Sequence, residues 1–520
     1  MGGETVKSNQ EKSARGNLLQ AAAKVGGWTM FSRILGFIRD IFIARLLGAS
    51  PLADAFFVAF KLPNFFRRMF AEGTLTVALV PVLADERKKG EADAHAYLNA
   101  LAGLLLAALI LFTVLGMVLM PWLLFAFAPG FHDEADRWQQ ALTLARLMFP
   151  YLLFISLAAM SWAVLNTYRK FSVAAASPAL LNIAIIFAAI VIAPLHDNPA
   201  EALAIGVILG GALQLGIQFP ALKRIGWIPK PTWRPRMPAI LQTLKLFGPA
   251  VLGIAAVQIN ILVGTILATL LPVGAVSYLY YADRIVQLPL ALFGIAMGTA
   301  LLPTLSEHLA NNRHQEATQD LRHGLTWLTW IILPSMVGLF FLAEPIIRTL
   351  FEHGKFTAQD AANTAYALQA YTVGLMVFSW SRVLSTACFA GKDAKAPMKY
   401  AIYTVAVNIV LAVILMQPWG YVGLALASAL ASFFNVSLLW AHLHKTHGAI
   451  FDWASWKRMG SAALACTPMA ALLYFAPIFW PFPTDKIMQF IWLAVIIISS
   501  MLIFFASAWV LGEKKLLRRA

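Results

Sequence analysis

Two guanidinium groups and a carboxylate interrupt an otherwise apolar stretch in Ser32-Arg-Ile-Leu-Gly-Phe-Ile-Arg-Asp40. On a helix Arg33 and Asp40 lie nearly in line, roughly 10.5 Å apart, and Arg39 lies about 120° around with Gly36 between them. A glycine in that arc leaves room for an anionic headgroup or for a close helix–helix contact. A second charged apolar run extends from Asp54 to Glu72 and carries Lys61, Arg67 and Arg68. Pro63 at its middle and Gly73 beyond its end predict a kinked or broken helix beside the two arginines. A third run sets Asp283 and Arg284 ahead of Pro289, Gly294 and Gly298, a comparable charged and kinked helix. The planar fork of arginine suits paired hydrogen bonds to phosphate oxygens. Salt-bridge locks between helices are the alternative reading of the same residues.

These charges sit in a chain that is 60% apolar or aromatic and only 12% charged over 520 residues, against roughly 45–50% and about 25% for soluble proteins. Within the apolar runs lie eleven cations (Lys24, Arg33, Arg39, Arg45, Lys61, Arg67, Arg68, Arg146, Lys245, Arg284 and Arg382) and five carboxylates (Asp40, Asp54, Glu72, Asp283 and Glu344). A charge at mid-bilayer costs about 2.5–3.5 kcal/mol on insertion scales, so the cationic surplus must face water or an anionic ligand. Lys24, Arg45, Arg146, Lys245 and Arg382 can snorkel toward an interface. The others favour a polyanionic headgroup such as a diphosphate and repel small cations.

Other chemistry is excluded by what the chain lacks. Cys388 and Cys466 both sit in apolar runs and form no zinc motif. There is no Gly-Lys-Ser phosphate loop and no nucleophile elbow, so neither ATP hydrolysis nor hydrolase chemistry is expected. His442, His444 and His447 read as a solvated turn, since no acid or cysteine cluster accompanies them. No cofactor, no metal and no nucleic-acid partner is expected, and the net charge of +15 directs attention to anionic lipids and the membrane surface.

The elements that position the charges are an all-α set of about fourteen membrane-spanning helices, beginning near Asn17, Ala53, Ala94, Trp138, Val173, Ala202, Ala239, Tyr278, Leu325, Thr364, Met398, Tyr421, Lys457 and Ile487. Alternate loops concentrate the remaining cations, for example Arg87 to Lys89 and Lys392 to Lys399, while Arg137, Arg348, Lys355 and Lys486 fall in the opposite loops. That asymmetry predicts both termini in the cytoplasm and no cleaved signal peptide. A repeat at an offset of 222 residues relates Ala78-Leu-Val-Pro-Val-Leu-Ala-Asp85 to Ala300-Leu-Leu-Pro-Thr-Leu-Ser-Glu307. It implies two six-helix lobes of like orientation, in a parallel pseudo-two-fold arrangement. The expected organisation is a tail at 1–16, an N-lobe at 17–224, a basic Pro-rich linker at 225–238, a C-lobe at 239–445, and two extra helices with a basic tail at 446–520.

Phe31-Ser-Arg-Ile-Leu-Gly-Phe-Ile-Arg-Asp40, the run from Asp54 to Gly73, and Tyr280-Tyr-Ala-Asp-Arg284 closely resemble the motifs of the MurJ/MviN family of lipid II flippases, and the resemblance covers essentially the whole chain. It implies a transporter of the multidrug/oligosaccharidyl-lipid/polysaccharide exporter superfamily, in the bacterial inner membrane, serving peptidoglycan and cell-wall synthesis. The family's two lobes form a V around a cationic cavity, with a groove on the last two helices for the polyprenyl tail. By resemblance Arg33, Arg39 and Arg284 match the essential cavity arginines. Asp40, Asp54, Arg67 and Arg68 match further substrate-binding positions, and Lys61, Glu72 and Asp283 are cavity or gate candidates. The chain departs in having Ala174 to Ala176 where some relatives have proline, and in lacking any carboxylate between Arg236 and Asp283, so a sodium site on the seventh span has no acid. The expectation is lipid II translocation by alternating access, with cell-wall synthesis proteins as further partners. Alternatives are another polyprenyl-linked glycan, a cation-coupled antiporter, or, from a different class, a membrane scaffold or glycan-lipid enzyme.

Overall fold

Lipid leaves backbone polar groups no partner but one another, and the chain answers with helices throughout. The computed structural model describes the backbone of residues 2–70 and 73–513, and side chains from Val25 onward except at 252–253, 255–257 and 447. Glu72 and the basic residues of the C-terminal tail therefore lie outside the described residues, as do the side chains of Lys24 and of the N-terminal basic residues. Among the described residues there is no strand.

The first compact unit, 1–266, contains α1 (Gly2–Leu47), α2 (Pro51–Phe70), α3 (Thr74–Lys89), α4 (Glu91–Val118), α5 (Met120–Phe127), α6 (Ala135–Met148), α7 (Tyr151–Thr167), α8 (Phe171–Phe187), α9 (Pro199–Gly216), α10 (Gln218–Arg224) and most of α11 (Pro238–Thr269). The second, 267–520, contains α12 (Ala275–Pro289), α13 (Ala296–Ala310), α14 (His314–Phe341), α15 (Ala343–Phe351), α16 (Ala358–Val373), α17 (Leu375–Ala390), α18 (Lys395–His447), α19 (Trp453–Phe479) and α20 (Lys486–Val510). The division falls within α11, beyond the Pro-rich stretch. The start of α11 is fastened to the first unit: Ile240 joins a buried cluster with Leu79, Leu98 and Val164, and Thr243 shares a 2.7 Å hydrogen bond with Tyr97.

Each of the fourteen sequence-predicted starting points falls on a helix. Nine helices among the described residues are long and apolar enough to cross a membrane, or ten when the bent pair α16 and α17 counts as one span. One of the nine, α18, would be about 80 Å long at 1.5 Å per residue if it were straight, far more than the roughly 30 Å hydrocarbon core. Its backbone reverses at Gly420, with φ 53° and ψ −131°, conformational space that favours glycine. A Cβ on Gly423 would stand 2.1 Å from the Leu415 carbonyl oxygen, so the two halves touch through backbone. The starts predicted at Met398 and Tyr421 are these two halves.

Two prolines behave differently from one another. α2 is helical through Pro63 to Phe70, so the helix expected to be kinked or broken beside Arg67 and Arg68 ends just past them rather than at the proline. The chain instead turns at Gly73, φ +87°, and the Thr74 hydroxyl donates to the Met69 carbonyl at 2.7 Å to finish the helix. After Pro289, α12 passes into a π-helical turn at Leu290–Ile295 before α13 begins, as a helix wound loosely at a proline will. Gly294 and Gly298 there lie 3.3 Å and 3.0 Å from Ser379 and Thr386 as Cβ distances, so they admit α17 to close packing.

The last two helices belong to the second compact unit. α19 packs on α14 and α20, and α20 on α15. Arg322 on α14 clamps the segment before α19, donating to the carbonyls of Ile450 (2.6 Å) and Ala449 (3.2 Å) and to Asp452 (2.7 Å). Asp452 in turn accepts from the hydroxyl and N–H of Ser455, which hold its carboxyl below the ordinary range.

Candidate functional site

In the first unit α1 packs along α8, and their contact organises the Ser32 to Asp40 charges. Arg39 is 6% exposed and Asp40 1%. The Arg39 Nε and Nη2 donate to Asp40 Oδ1 at 3.0 Å and 2.7 Å, and Nη1 donates to Asn182 Oδ1 at 3.0 Å. Asn182, on α8, returns a hydrogen bond from Nδ2 to the Ser32 carbonyl at 2.9 Å. A Cβ on Gly36 would sit 3.4 Å from Asn182 Nδ2, so that glycine serves helix approach in this arrangement. Arg39 thus spends its fork on a neighbouring carboxylate and an amide.

Arg33 differs. It is exposed, and it lines a pocket of about 380 Å³ with Val25, Thr29, Ser32, Asn166, Phe171, Ala174, Ala175 and Pro178. The hydroxyls of Thr29 and Ser32 and the Asn166 amide give this wall polar groups beside a cation. Ala174 and Ala175, where a bulkier residue would close the space, are part of the floor.

The charges of α2 separate into distinct roles. Asp54, fully buried, accepts from Arg137 Nη2 at 2.6 Å, and Arg137 also reaches Glu134 at 3.3 Å and lies 3.9 Å over the Phe131 ring. The sequence reading placed Arg137 in a loop; it is 1% exposed on α6, and it ties α6 to α2. Because a buried carboxylate stays ionised only beside a cation, this contact assigns Asp54 a structural partner. Farther along α2, Lys61 donates to Thr265 on α11 at 3.2 Å. Arg67 donates to Asn64 at 3.1 Å, and Arg68 is exposed. Phe66 and Phe70 pack edge-on against Phe112, with Phe149 stacked on the latter, so the cationic end of α2 rests on an aromatic bed.

In the second unit Arg284 projects from α12 one turn after Tyr280. Its Nη2 donates to the Tyr280 hydroxyl at 2.8 Å, and its guanidinium carbon lies 4.8 Å from that ring's centre. Asp283 accepts from Gln287. The π-helical turn begins six residues beyond Arg284.

Comparison with known proteins decides the family. The sequence profile described as "Lipid II flippase MurJ" matches residues 43–506. This chain belongs to the MurJ family. A Haemophilus influenzae relative, described as a probable lipid II flippase MurJ, is 38% identical across 94% of this chain and 98% of its own length. The Burkholderia cenocepacia lipid II flippase MurJ is 35% identical across 96% and 98%. A solved lipid II flippase MurJ, titled as an inward closed conformation, superposes with a TM-score of 0.80 at 28% identity, covering 95% of this chain and 99% of that one. A multidrug transporter of the MATE family in the MOP superfamily superposes at 0.65 with 13% identity, which establishes a shared fold.

Within this MurJ-family chain the structure adds residues that the sequence reading passed over. Asn182 holds Arg39, Arg137 holds Asp54, Tyr280 holds Arg284 and Thr265 holds Lys61. An amide such as Asn182 in the apolar run Leu180-Leu-Asn-Ile-Ala184 was a visible signal, since polar side chains within spans seek partners. Tyr280 stood in the quoted motif one turn before Arg284, while Thr265 carried no signal.

Proposed function

We propose that this protein is a transporter that moves lipid II, the undecaprenyl-diphosphate-linked peptidoglycan precursor, from the cytoplasmic to the periplasmic leaflet of the bacterial inner membrane. Family membership over nearly the whole chain supports the substrate. The observation that carries the mechanism is the contrast on α1: Arg33 opens onto a largely apolar pocket in which Thr29, Ser32 and Asn166 are the other polar residues, while Arg39 is held by Asp40 and Asn182. Arg33 receives an anionic oxygen first; Arg39 exchanges its hold on Asp40 for the diphosphate as the carrier changes state. That exchange trades one charge-assisted contact for another, which keeps the step shallow in energy. Arg284 supplies a third guanidinium, with Tyr280 fixing its orientation. Arg67, Arg68 and Lys61 extend the cationic path, and Asp283 serves its gating. The α19–α20 pair takes the polyprenyl tail, both termini face the cytoplasm, and proteins of cell-wall synthesis act before and after transfer.

No bond of the substrate is made or broken. The test is purified protein in liposomes carrying labelled lipid II on one leaflet. The expected result is movement to the other leaflet at unchanged substrate mass, slowed strongly by Arg33→Ala. Changed mass, or transfer equal to that of protein-free vesicles, would overturn the proposal.

A further inference from the structure

The Pro-rich stretch between α10 and α11 is a strap fixed to α4. Asn99 on α4 holds it three ways: its Oδ1 accepts from Trp227 Nε1 and from the Lys230 N–H, both at 3.0 Å, and its carbonyl accepts from the Thr232 N–H at 3.0 Å. Trp227 is buried beneath it among Tyr97, Leu98 and Leu222. A Cβ on Gly103 would meet the Thr232 carbonyl oxygen at 2.2 Å, so the strap's backbone lies directly on α4. Asn99 and Gly103 are about 12 Å and 18 Å along α4 from its charged start at Glu91. Exposed Ile110 and Leu111 follow within two turns, so the strap runs beside the helix where its surface changes from polar to apolar.

Its outer face combines two chemistries. Trp233 is 67% exposed, and with Arg234, Pro235, Arg236 and Met237 it lines a groove of about 570 Å³. The Met237 N–H donates to the Arg234 carbonyl at 3.2 Å, closing a turn with Pro235 inside it, so the two guanidinium groups leave one tight loop. Lys223, Arg224 and Lys230 add to the field, and no Asp or Glu occurs between Glu201 and Asp283. Among the described residues none of these five cations is ion-paired with a carboxylate. Exposed tryptophan beside unpaired arginine at such a depth suits the headgroup layer, where the indole stays amphipathic and the cations meet phosphate.

We infer that this strap is a binding site for one acidic phospholipid, whose phosphate lies between Arg234 and Arg236 and whose glycerol and upper acyl chain lie against Trp233. It lies entirely within the first unit and does not depend on the transported substrate. A lipid held there pins the entry to α11 at the membrane surface.

The test is native mass spectrometry of the delipidated full chain, titrated with phosphatidylglycerol or with phosphatidylcholine of the same acyl chains. The expected result is tighter binding of phosphatidylglycerol. Arg234→Gln with Arg236→Gln should weaken it on the order of thirtyfold, about fivefold for each cation removed. Lys457→Gln with Arg458→Gln, on α19, should leave it unchanged, and Trp233→Ala should weaken both lipids together. Equal affinity of the parent for the two lipids, or undiminished phosphatidylglycerol binding in the strap variant, would overturn the site. Displacement of the lipid by soluble glycerol phosphate at similar concentration would do the same, because the acyl chain would then contribute nothing.

Discussion

Embedded charges differ in what they can be asked to do, and partners at hydrogen-bond distance separate them. Asp54 and Arg137 shield each other in a fully buried contact of 2.6 Å. Replacing Asp54 by Asn strands the guanidinium; Glu134 at 3.3 Å offsets part of that, so the cost is placed at the lower end of the usual range, about 3 kcal/mol. The pair Asp54→Asn with Arg137→Gln should recover much of the loss, which thermal unfolding of the three variants in one detergent will read. Simple additivity of the two single losses would remove the ion pair as the cause. For Arg284 the question is shape against charge. Lysine keeps the cation but surrenders the planar fork and its seat on Tyr280. Arg284→Lys should lose on the order of 1–2 kcal/mol of lipid II affinity in a mass-spectrometric titration, as one charge-assisted bond is forfeited. Affinity equal to the parent would leave Arg284 as a field-setting charge.

Helices in this chain are set by where they are interrupted. Proline is the obvious interruption, yet α2 continues past Pro63, and the decisive break comes at Gly73. A proline removes one hydrogen bond from a helix; a residue at positive φ redirects the chain. α18 shows the same rule, turning at Gly420 with Gly423 against the Leu415 carbonyl. Gly423→Ala places a methyl group at 2.1 Å from that oxygen and must open the hairpin. A fall in folded yield and melting temperature is expected for it. Gly460→Ala on α19, where no atom lies within 4 Å, should be neutral or slightly stabilising by helix propensity. Similar melting temperatures for the two variants would dismiss the close turn.

At the scale of the molecule, the same local device ends three helices. Arg169, Asn312 and Lys392 each adopt φ near 58°, and the residue after each donates back five positions, to Leu165, His308 and Cys388. The loops that follow hold basic residues, and all three are predicted on the cytoplasmic side. Beside the first, Tyr168 donates to Glu91 at 2.6 Å with Arg87 4.0 Å from its ring; burial, then that hydrogen bond, push the phenol up to about 12, so it stays a donor at physiological pH. Reporter fusions at Lys89 and Lys395 should read cytoplasmic, and fusions at Asp133 and Pro418 periplasmic. Labelling of Lys89 and Asp133 on the same side would refute the orientation.

Class, family and the identity of the charged residues were legible in the sequence, because burial of charge in lipid is costly enough that each such residue stands out from its neighbours. Apolar length placed each of the fourteen expected starts on a helix, though not at its first residue, and the reversal at Gly420 was signalled by Pro418 and Gly420 between two apolar runs. What only tertiary structure decided is which charge has a partner on another helix. Arg39 lies 143 positions from Asn182 and Asp54 lies 83 from Arg137, separations that no local pattern encodes. The fastening of the Pro-rich strap to Asn99 was hidden for the same reason. A side chain's role in lipid is set by the few ångströms around its polar atoms, and those neighbours arrive from distant helices only when the chain packs.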